Sequence, residues 1–457
     1  VKQFEIKKLA DIIGAKLAGN ADGSLSGVSI DSRTIRPGDC FFAIKGQNHD
    51  GHDFVGQVLA KGAVCAVVDE NFKTETKSTL LRVEDTIQAL GDFARHYRKS
   101  LKCKIVAVTG SSGKTSTRQI AHHVLSRHFK CHQAQKSFNN NIGLPLTLLE
   151  LDPDHDVAIV ELGTNSPGEI LYLTKIAQPD IALVTNASAA HVEFFGSVDA
   201  IIKEKTTIAD GLGENGRLII NADIPALVRH CRTRKINFTT FGTTAEADIH
   251  ASDIELNGFA SSFTIDGVFM KLPLAGKGNV ENAVAAYAVC HKLGLSASDF
   301  SAAIGDLVSV SMRLEPIALG EILVISDCYN ANPASMKNAL DLLVRVSTDR
   351  AGRKVFICGP MMELGEHSKH LHSQLGEQIA LAGVEMLLAT GPFAGLIADA
   401  AMTAADSPID TLCFENVYSL CDNLTNLIKP DDIILVKGSR SARLELAVER
   451  LRHLYAE

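Results

Sequence analysis

Short runs of apolar, mostly β-branched residues recur along the chain, with helix-length stretches between them. A run that is apolar at every position, rather than at alternate ones, suits a strand buried on both faces. Mid-chain runs of this kind fall at 105–109, 157–161, 181–185 and 217–221. Their alternation with helical segments predicts a largely parallel sheet covered by helices on both faces. After residue 308 the pattern restarts: strands are expected at 322–327, 354–359, 386–390 and 433–436, with helices near 335–346, 370–382, 393–404 and 442–454. That is a second doubly wound unit. Before residue 81 the runs are shorter, with strands at 28–30, 41–44 and 63–68, a helix near 54–61, and then a helix over 86–100 that leads into the central strand. The chain therefore reads as three α/β units, 1–84, 85–310 and 311–457.

Composition narrows the class. A length of 457 residues accommodates three domains at the usual ~150 residues each. With 46% hydrophobic and 21% charged residues the balance is that of a soluble globular protein. A net charge of -8, without a stripe of Lys and Arg, argues against nucleic acid or a membrane surface as partner. The most apolar window, 384–402, is broken by Glu385, Pro392 and Asp399, so no bilayer span is expected. No charged segment followed by an apolar core opens the sequence, so no secretory signal is expected either. Ten cysteines are scattered singly, as in reduced, cytoplasmic proteins.

The strand ends carry the chemistry. The stretch IVAVTGSSGKTSTRQI, 105–120, runs from a buried strand through a glycine corner into a helix. Gly110 and Gly113 allow the amides of Gly110, Ser111, Ser112, Gly113 and Ser116 to turn toward an anion; Lys114 would reach terminal phosphates and the Thr115 hydroxyl would sit on Mg²⁺. It is a shortened phosphate loop, with Val108 where the longer form has its first glycine. Ligands gather beyond the carboxyl ends of such strands. There the sequence places Glu161, a hard oxygen ligand, followed by Thr164 and Asn165; Asn186 leading to His191; and the segment SFNNNIG with Asn140 and Asn141. Lys205 as an ammonium cannot ligate a cation, and on its own reads as the solvated face of a helix over 198–210. In the last unit Asp327, Tyr329, Asn330 and Asn332 crowd one strand end, with Glu363 and then Lys437, Ser439 and Arg440 at others. Arg313 could reach back to a ligand in the middle unit or form an ion pair between units. Asp31, Ser32 and Arg33 follow an early strand, as a binding loop or as a solvated turn.

In order, TGSSGKTS, KSFNNNIGLPLTLL, VELGTNSPGEI, NASAAHVEFFGS, GNVENAVAAYA, MRLE, SDCYNANPASM, GPMMELGEHS and VKGSR resemble the Mur ligases, the ATP-dependent amide-forming enzymes of peptidoglycan synthesis, over 31–440. The resemblance implies a small mixed α/β N-terminal domain that holds a UDP-sugar, a central phosphate-loop ATPase domain, and a C-terminal Rossmann-like domain closing over the site. The string from Asp327 to Pro333, the three Asn before IGLP and the MMELG segment are most similar to the branch whose substrates are UDP-N-acetylmuramoyl-tripeptide and D-alanyl-D-alanine. Carried over by position, the resemblance implies catalytic roles for Lys114, His191 and Lys205, and Mg²⁺ at Thr115, Glu161, His191 and Lys205, two ions in all. Lys205 would act as a carbamate, although its string reads Lys205-Thr206-Thr207-Ile208 where the family has Lys-Gly-Glu-Ile, and Lys203 stands as an alternative. Base and ribose contacts of ATP would fall on Asn279, Asn282, Arg313 and Asp327, with Gly278 where the family has His. The uridine site would be Asp31, Ser32 and Arg33. Tyr329, Asn330 and Asn332 would lie near the dipeptide or the ATP. A monomer in a bacterial cytoplasm is expected. Two other readings stand beside this one: another amide ligase of the same superfamily, either the tripeptide-forming Mur ligase or a folylpolyglutamate-synthase-like enzyme, and an ATP-sensing module, against which Glu161 and His191 are more metal-binding equipment than a sensor needs.

Overall fold

The computed structural model describes residues 1, 3–46, 48–76, 78–135, 137–188, 192–348 and 350–455. Its middle part is built on a parallel sheet with strand order Ile249–His250, Phe238–Gly242, Arg217–Asn221, Ile181–Val184, Lys104–Thr109, Val157–Glu161, Cys131–Gln133. The uninterrupted apolar runs explain the burial: Ile105, Val106 and Ala107 are wholly enclosed, as are Ala158, Ile159 and Val160 beside them. Chain order reverses around Lys104–Thr109, whose neighbours are Val157–Glu161 on one side and Ile181–Val184 on the other. Register aligns Glu161 with Val108 and Val184 with Thr109. The carboxyl ends of three strands thus open side by side at a topological switch point, where α/β sheets bind ligands.

The helix Thr86–Ser100 begins where expected because the Asp85 carboxylate accepts from the backbone N–H groups of Ile87 and Gln88. Helix Lys114–Leu125 leaves the central strand and packs against Lys277–Lys292, whose Ala283, Val284, Ala286 and Tyr287 are buried in the same core.

The first part holds a five-stranded sheet, order Lys16–Ala18, Leu80–Val83, Cys65–Asp69, Asp39–Phe42, Gly27–Ser29, parallel except at its first strand. The helix expected near 54–61 is the α-helix Val55–Ala60, preceded by a 3₁₀ turn, Gly51–Phe54. The last part holds a six-stranded sheet, order Glu315–Leu319, Ile322–Asp327, Ile433–Lys437, Lys354–Cys358, Met386–Thr390, Asp410–Phe414, parallel but for its antiparallel first edge. Its second edge strand, Asp410–Phe414, and the helix Val417–Leu427 were not expected, since the strand is mostly exposed and lacks an apolar run. A three-stranded antiparallel sheet, Ser252–Asn257, Ala260–Ile265 and Val268–Leu272, was also not expected. None of the ten cysteines is in a disulfide, and among the described residues no helix is long and apolar enough to cross a membrane.

Candidate active site

The glycine corner is locked in place by its neighbours. Gly110 has φ +155° and Gly113, the N-cap of Lys114–Leu125, has φ +79°. A Cβ on either would run into a polar group, Thr185 Oγ1 in the first case and the Asn282 carboxamide in the second. The loop between them is tied to the end of strand Ile181–Val184: the Ser111 N–H donates to Asn186 O at 3.0 Å, Thr185 Oγ1 donates to Ser112 O at 2.6 Å and Asn186 Nδ2 donates to Ser112 Oγ at 2.9 Å. The loop is therefore held in shape before an anion arrives, although the Ser111 N–H, expected to face the anion, is already engaged by Asn186 O.

Lys114 Nζ donates to Gly110 O at 2.7 Å. Burial pulls its pKa down, helped by Arg313 and opposed by Glu161. Glu161 is 1% exposed and closes its strand directly beside this corner. Its Oε2 accepts from Thr115 Oγ1 at 3.3 Å, and its Oε1 lies 2.8 Å from Arg118 Nε. The sequence reading missed Arg118. An Arg one helical turn beyond Lys114, on the helix flank turned to the sheet, was the available signal. It is buried, also donates to Ala134 O, and its pKa is lowered chiefly by burial, with Glu161 opposing.

Lys205 requires a correction: it does not lie on a solvated helix face. It is 3% exposed at the end of helix Val198–Thr206, among the buried Ile201, Ile202, Glu204 and Thr206. The preceding Glu204 accepts from the N–H groups of Gly168 and Ile170, pinning this helix to the start of Glu169–Ala177. Burial and the nearby Lys114 charge push the Lys205 pKa down to about 7, with Glu204 opposing. Lys203, the alternative, is exposed. His191 lies outside the described residues.

The third unit supplies the opposite wall. Arg313 Nη2 donates to Thr115 Oγ1 at 3.1 Å, and its guanidinium sits 4.4 Å from the Tyr329 ring centroid. Arg313 thus crosses into the middle unit through a hydrogen bond to a hydroxyl, and among the described residues it forms no ion pair there. The Tyr329 hydroxyl is hydrogen-bonded to Ser137 Oγ. Asp327 accepts from Lys437 Nζ at 2.6 Å and from the Leu314 N–H at 3.2 Å; burial raises its pKa, against the pull of Lys437 and Arg313. Asn330 O also accepts from Lys437, at 3.0 Å. Asn332 caps helix Pro333–Ser347 by accepting from the Ser335 N–H.

These walls enclose a cleft of about 870 Å³, lined by the corner, Glu161, Asn140, Asn141, Thr164, Asn165, Tyr329, Asn330, Asn332, Lys437, Ser439, Arg440 and Ser441. The Asn140 side chain accepts from the Gly143 N–H, Thr164 Oγ1 donates to Ser166 O, and the Asn165 N–H donates to Glu169, so this rim is internally bonded. A second cleft of about 310 Å³ continues past Ser112 and Gly113 to Ser116, Asn279, Asn282, Arg313 and Asp327. Asn338 joins it from helix Pro333–Ser347: a Cβ at Gly278 would stand 3.1 Å from Asn338 Nδ2, so the glycine leaves room for that amide. Asp31, Ser32 and Arg33 line neither cleft. They form a self-bonded turn on the first unit, with Arg33 Nη2 at 2.6 Å from Asp31 Oδ2 and Lys61 Nζ donating to Ser32 O. Arg33 holds the Asp31 carboxyl down at about 2.

Comparison with known proteins agrees with this geometry. Residues 24–98 match the Mur ligase family catalytic domain, 108–290 the Mur ligase middle domain and 312–440 the Mur ligase glutamate ligase domain. The UDP-N-acetylmuramoyl-tripeptide–D-alanyl-D-alanine ligase of Escherichia coli (strain K12) is 36% identical over 98% of both chains, and that of Bacillus subtilis (strain 168) is 32% identical over 98% of both. A crystal structure of MurF from Acinetobacter baumannii superposes with a TM-score of 0.90 at 31% identity, covering 99% of each chain. The MurF ligase of Thermotoga maritima in complex with ADP superposes with a TM-score of 0.82 at 28% identity, covering 94% of this chain and 97% of that one. With a phosphate-binding corner facing a second α/β unit across one cleft, and relatives matching it from end to end, the chain belongs to the Mur ligase family.

Proposed function

We propose that this enzyme joins D-alanyl-D-alanine to UDP-N-acetylmuramoyl-tripeptide at the expense of ATP, in the bacterial cytoplasm and as a monomer. The observation that carries the reading is the single cleft in which the Lys114–Thr115 corner and Glu161 meet Arg313 and Tyr329 of the third unit. An amide cannot form from a carboxylate until oxide is replaced by a better leaving group. The terminal phosphoryl of ATP moves to the tripeptide carboxylate, giving an acyl phosphate and ADP. The neutral amine of the dipeptide then attacks the acyl carbon, and the tetrahedral intermediate collapses with loss of phosphate and a proton. The protein's part is positioning and charge compensation, from the loop amides, Lys114 and Arg313. Closing the third unit over the cleft keeps water from the acyl phosphate.

The residues present fit Mg²⁺. Thr115 Oγ1 and Glu161 Oε2 are hard oxygens on the cleft wall, and such an ion takes its remaining positions from phosphate and water. Among the described residues no three His, Cys, Asp or Glu side chains converge, so protein groups alone would not complete its shell. When bound, the ion would neutralise charge on the triphosphate. A second would be held by His191 and Lys205. For this the Lys205 amine must add CO₂, forming a C–N bond and releasing a proton, which a lysine titrating near 7 can do at neutral pH. In this reading Asn279, Asn282 and Asp327 face the nucleoside, Asn140, Asn141, Thr164, Asn165, Tyr329, Asn330 and Asn332 face the peptide substrates, and Asp31, Ser32 and Arg33 hold the uridine. The division 1–84, 85–310 and 311–457 is supported by the three parallel-type sheets, each of which falls inside one of these bounds.

Mass spectrometry of the product from ATP, the UDP-linked tripeptide and D-alanyl-D-alanine tests the whole reading, and phosphate release without one of the three would refute it. Lys114→Ala should abolish phosphate release while UDP-substrate binding remains measurable. Lys205→Ala should be inactive and partly rescued by short carboxylic acids, and full unassisted activity would remove the carbamate.

A further inference from the structure

The cleft holds a cation that the steps above leave unused. Four described basic residues line it: Lys114, Arg313, Lys437 and Arg440. The first two belong to the phosphate corner, through Gly110 and Thr115. Lys437 is 1% exposed and fully engaged, by Asp327 Oδ2 at 2.6 Å and Asn330 O at 3.0 Å. Arg440 remains. It follows strand Ile433–Lys437 through Gly438 and Ser439, at the start of the short turn Arg440–Ala442. That turn is fixed from behind, because the buried Ser439 donates its N–H to Pro360 O at 2.9 Å.

The Arg440 side chain is exposed to the cleft and only partly occupied. Its Nη1 lies 3.3 Å from Glu445 Oε2 and 3.6 Å from Met312 Sδ. Among the described residues no hydrogen bond takes up Nε or Nη2. Glu445 thus holds one edge of the guanidinium and leaves donors on the other side free, the arrangement that receives a carboxylate in two parallel N–H···O bonds.

The incoming dipeptide carries a negative charge that must be kept away from the triphosphate. Its amine has to meet the activated carbonyl while its carboxylate points elsewhere, because like charges repel strongly at the low dielectric of a closed site. Among the described residues of the wall facing the corner, Arg440 is the unspent cation. We propose that Arg440 clamps the C-terminal carboxylate of the incoming D-alanyl-D-alanine and so sets both its orientation and its selection over uncharged amines. This rests on the amine assignment made under Proposed function and names the residue that recognises it.

The test compares D-alanyl-D-alanine with its C-terminal carboxamide in the wild-type enzyme, Arg440→Gln and Arg440→Lys, with ATP and UDP-linked tripeptide saturating. The wild type should prefer the acid by ~30–1000-fold in kcat/KM, since a site built for a charged partner rejects the analogue lacking it. In Arg440→Gln that preference should fall below about fivefold, mainly through a higher KM for the acid, while Arg440→Lys recovers part of it. KM values for ATP and the UDP-substrate should stay within about twofold. An Arg440→Gln enzyme that keeps the wild-type acid-to-amide ratio, or a wild type with no such preference, overturns the clamp alone. A wild type that turns over neither dipeptide overturns the amine assignment, and the clamp with it.

Discussion

At Gly113 backbone angle and neighbour act together: φ is +79° and a side chain would meet the Asn282 carboxamide. Gly113→Ala should therefore cost ~1–3 kcal/mol of stability for a strained left-handed residue and, by tilting the loop amides, at least ~100-fold in ATP-dependent phosphate release. Urea denaturation and a phosphate-release assay measure the two. The glycines, Lys114 and Glu161 were legible because strand, turn and helix follow one another in sequence. Arg118 and the burial of Lys205 were not, because a charged residue in a helix reads as solvated until the packed partner is known. His372 is a different case, a buried imidazole outside the reacting centre. Its Nε2 accepts from the Met361 N–H at 2.9 Å, its Nδ1–H donates to Ser368 O at 2.7 Å, and it stacks on Phe393. Burial lowers its pKa, with the Ser368 bond opposing. Below pH ~6.5 the unfolded chain takes up a proton that the folded chain refuses, so stability falls with pH from there to the depressed folded value, by at most about 1.4 kcal/mol per pH unit. His372→Gln keeps an acceptor for Met361 and removes the proton, so its denaturation midpoint should fall less between pH 7 and pH 5 than that of the wild type.

Two capped helices separate local stability from the site. Asp85 caps Thr86–Ser100, away from either cleft, whereas Asn332 caps Pro333–Ser347 and also lines the large cleft. Each change to Ala should cost ~1 kcal/mol in urea denaturation. Asp85→Ala should leave every KM unchanged, while Asn332→Ala should also raise a substrate KM, because the cap sets where the Asn330–Asn332 backbone meets the cleft. Element by element, the sequence was most informative where a strand is buried on both faces. The bounds expected for 157–161, 217–221, 322–327 and 386–390 coincide with Val157–Glu161, Arg217–Asn221, Ile322–Asp327 and Met386–Thr390. The antiparallel sheet from Ser252 to Leu272 escaped because its first strand alternates and is largely exposed, so it offers no apolar run. Its two-residue turns, Gly258-Phe259 and Asp266-Gly267 with glycine φ of +57° and +75°, are the hairpin signals that would have revealed it.

On the scale of the whole molecule, polar contacts among the described residues join the middle and third units across the nucleotide corner. Arg313 reaches Thr115, Tyr329 reaches Ser137, and the Glu193 N–H donates to Glu363 O at 3.3 Å. Val192 and Ala275 of the middle unit are also buried in the third unit's core, yet motion between domains of one chain is the default, and a ligand touching both walls adds to the closure. ATP with Mg²⁺ should stabilise the folded enzyme by ~2.7 kcal/mol at a hundred times its Kd, visible as a rise in melting temperature. Arg313→Ala removes the arm that joins the walls but leaves the corner amides and Lys114 intact. Its apparent nucleotide affinity should therefore fall ~10–100-fold. Hydrogen exchange supplies the sharper readout: in the wild type, nucleotide should slow exchange both in the corner, 110–116, and across the cleft in 327–335, whereas in Arg313→Ala only the corner should be slowed. Equal protection of both walls in the variant would mean that Arg313 does not couple the units. The closure would then have to be assigned to Tyr329 or to the contact between Glu193 and Glu363.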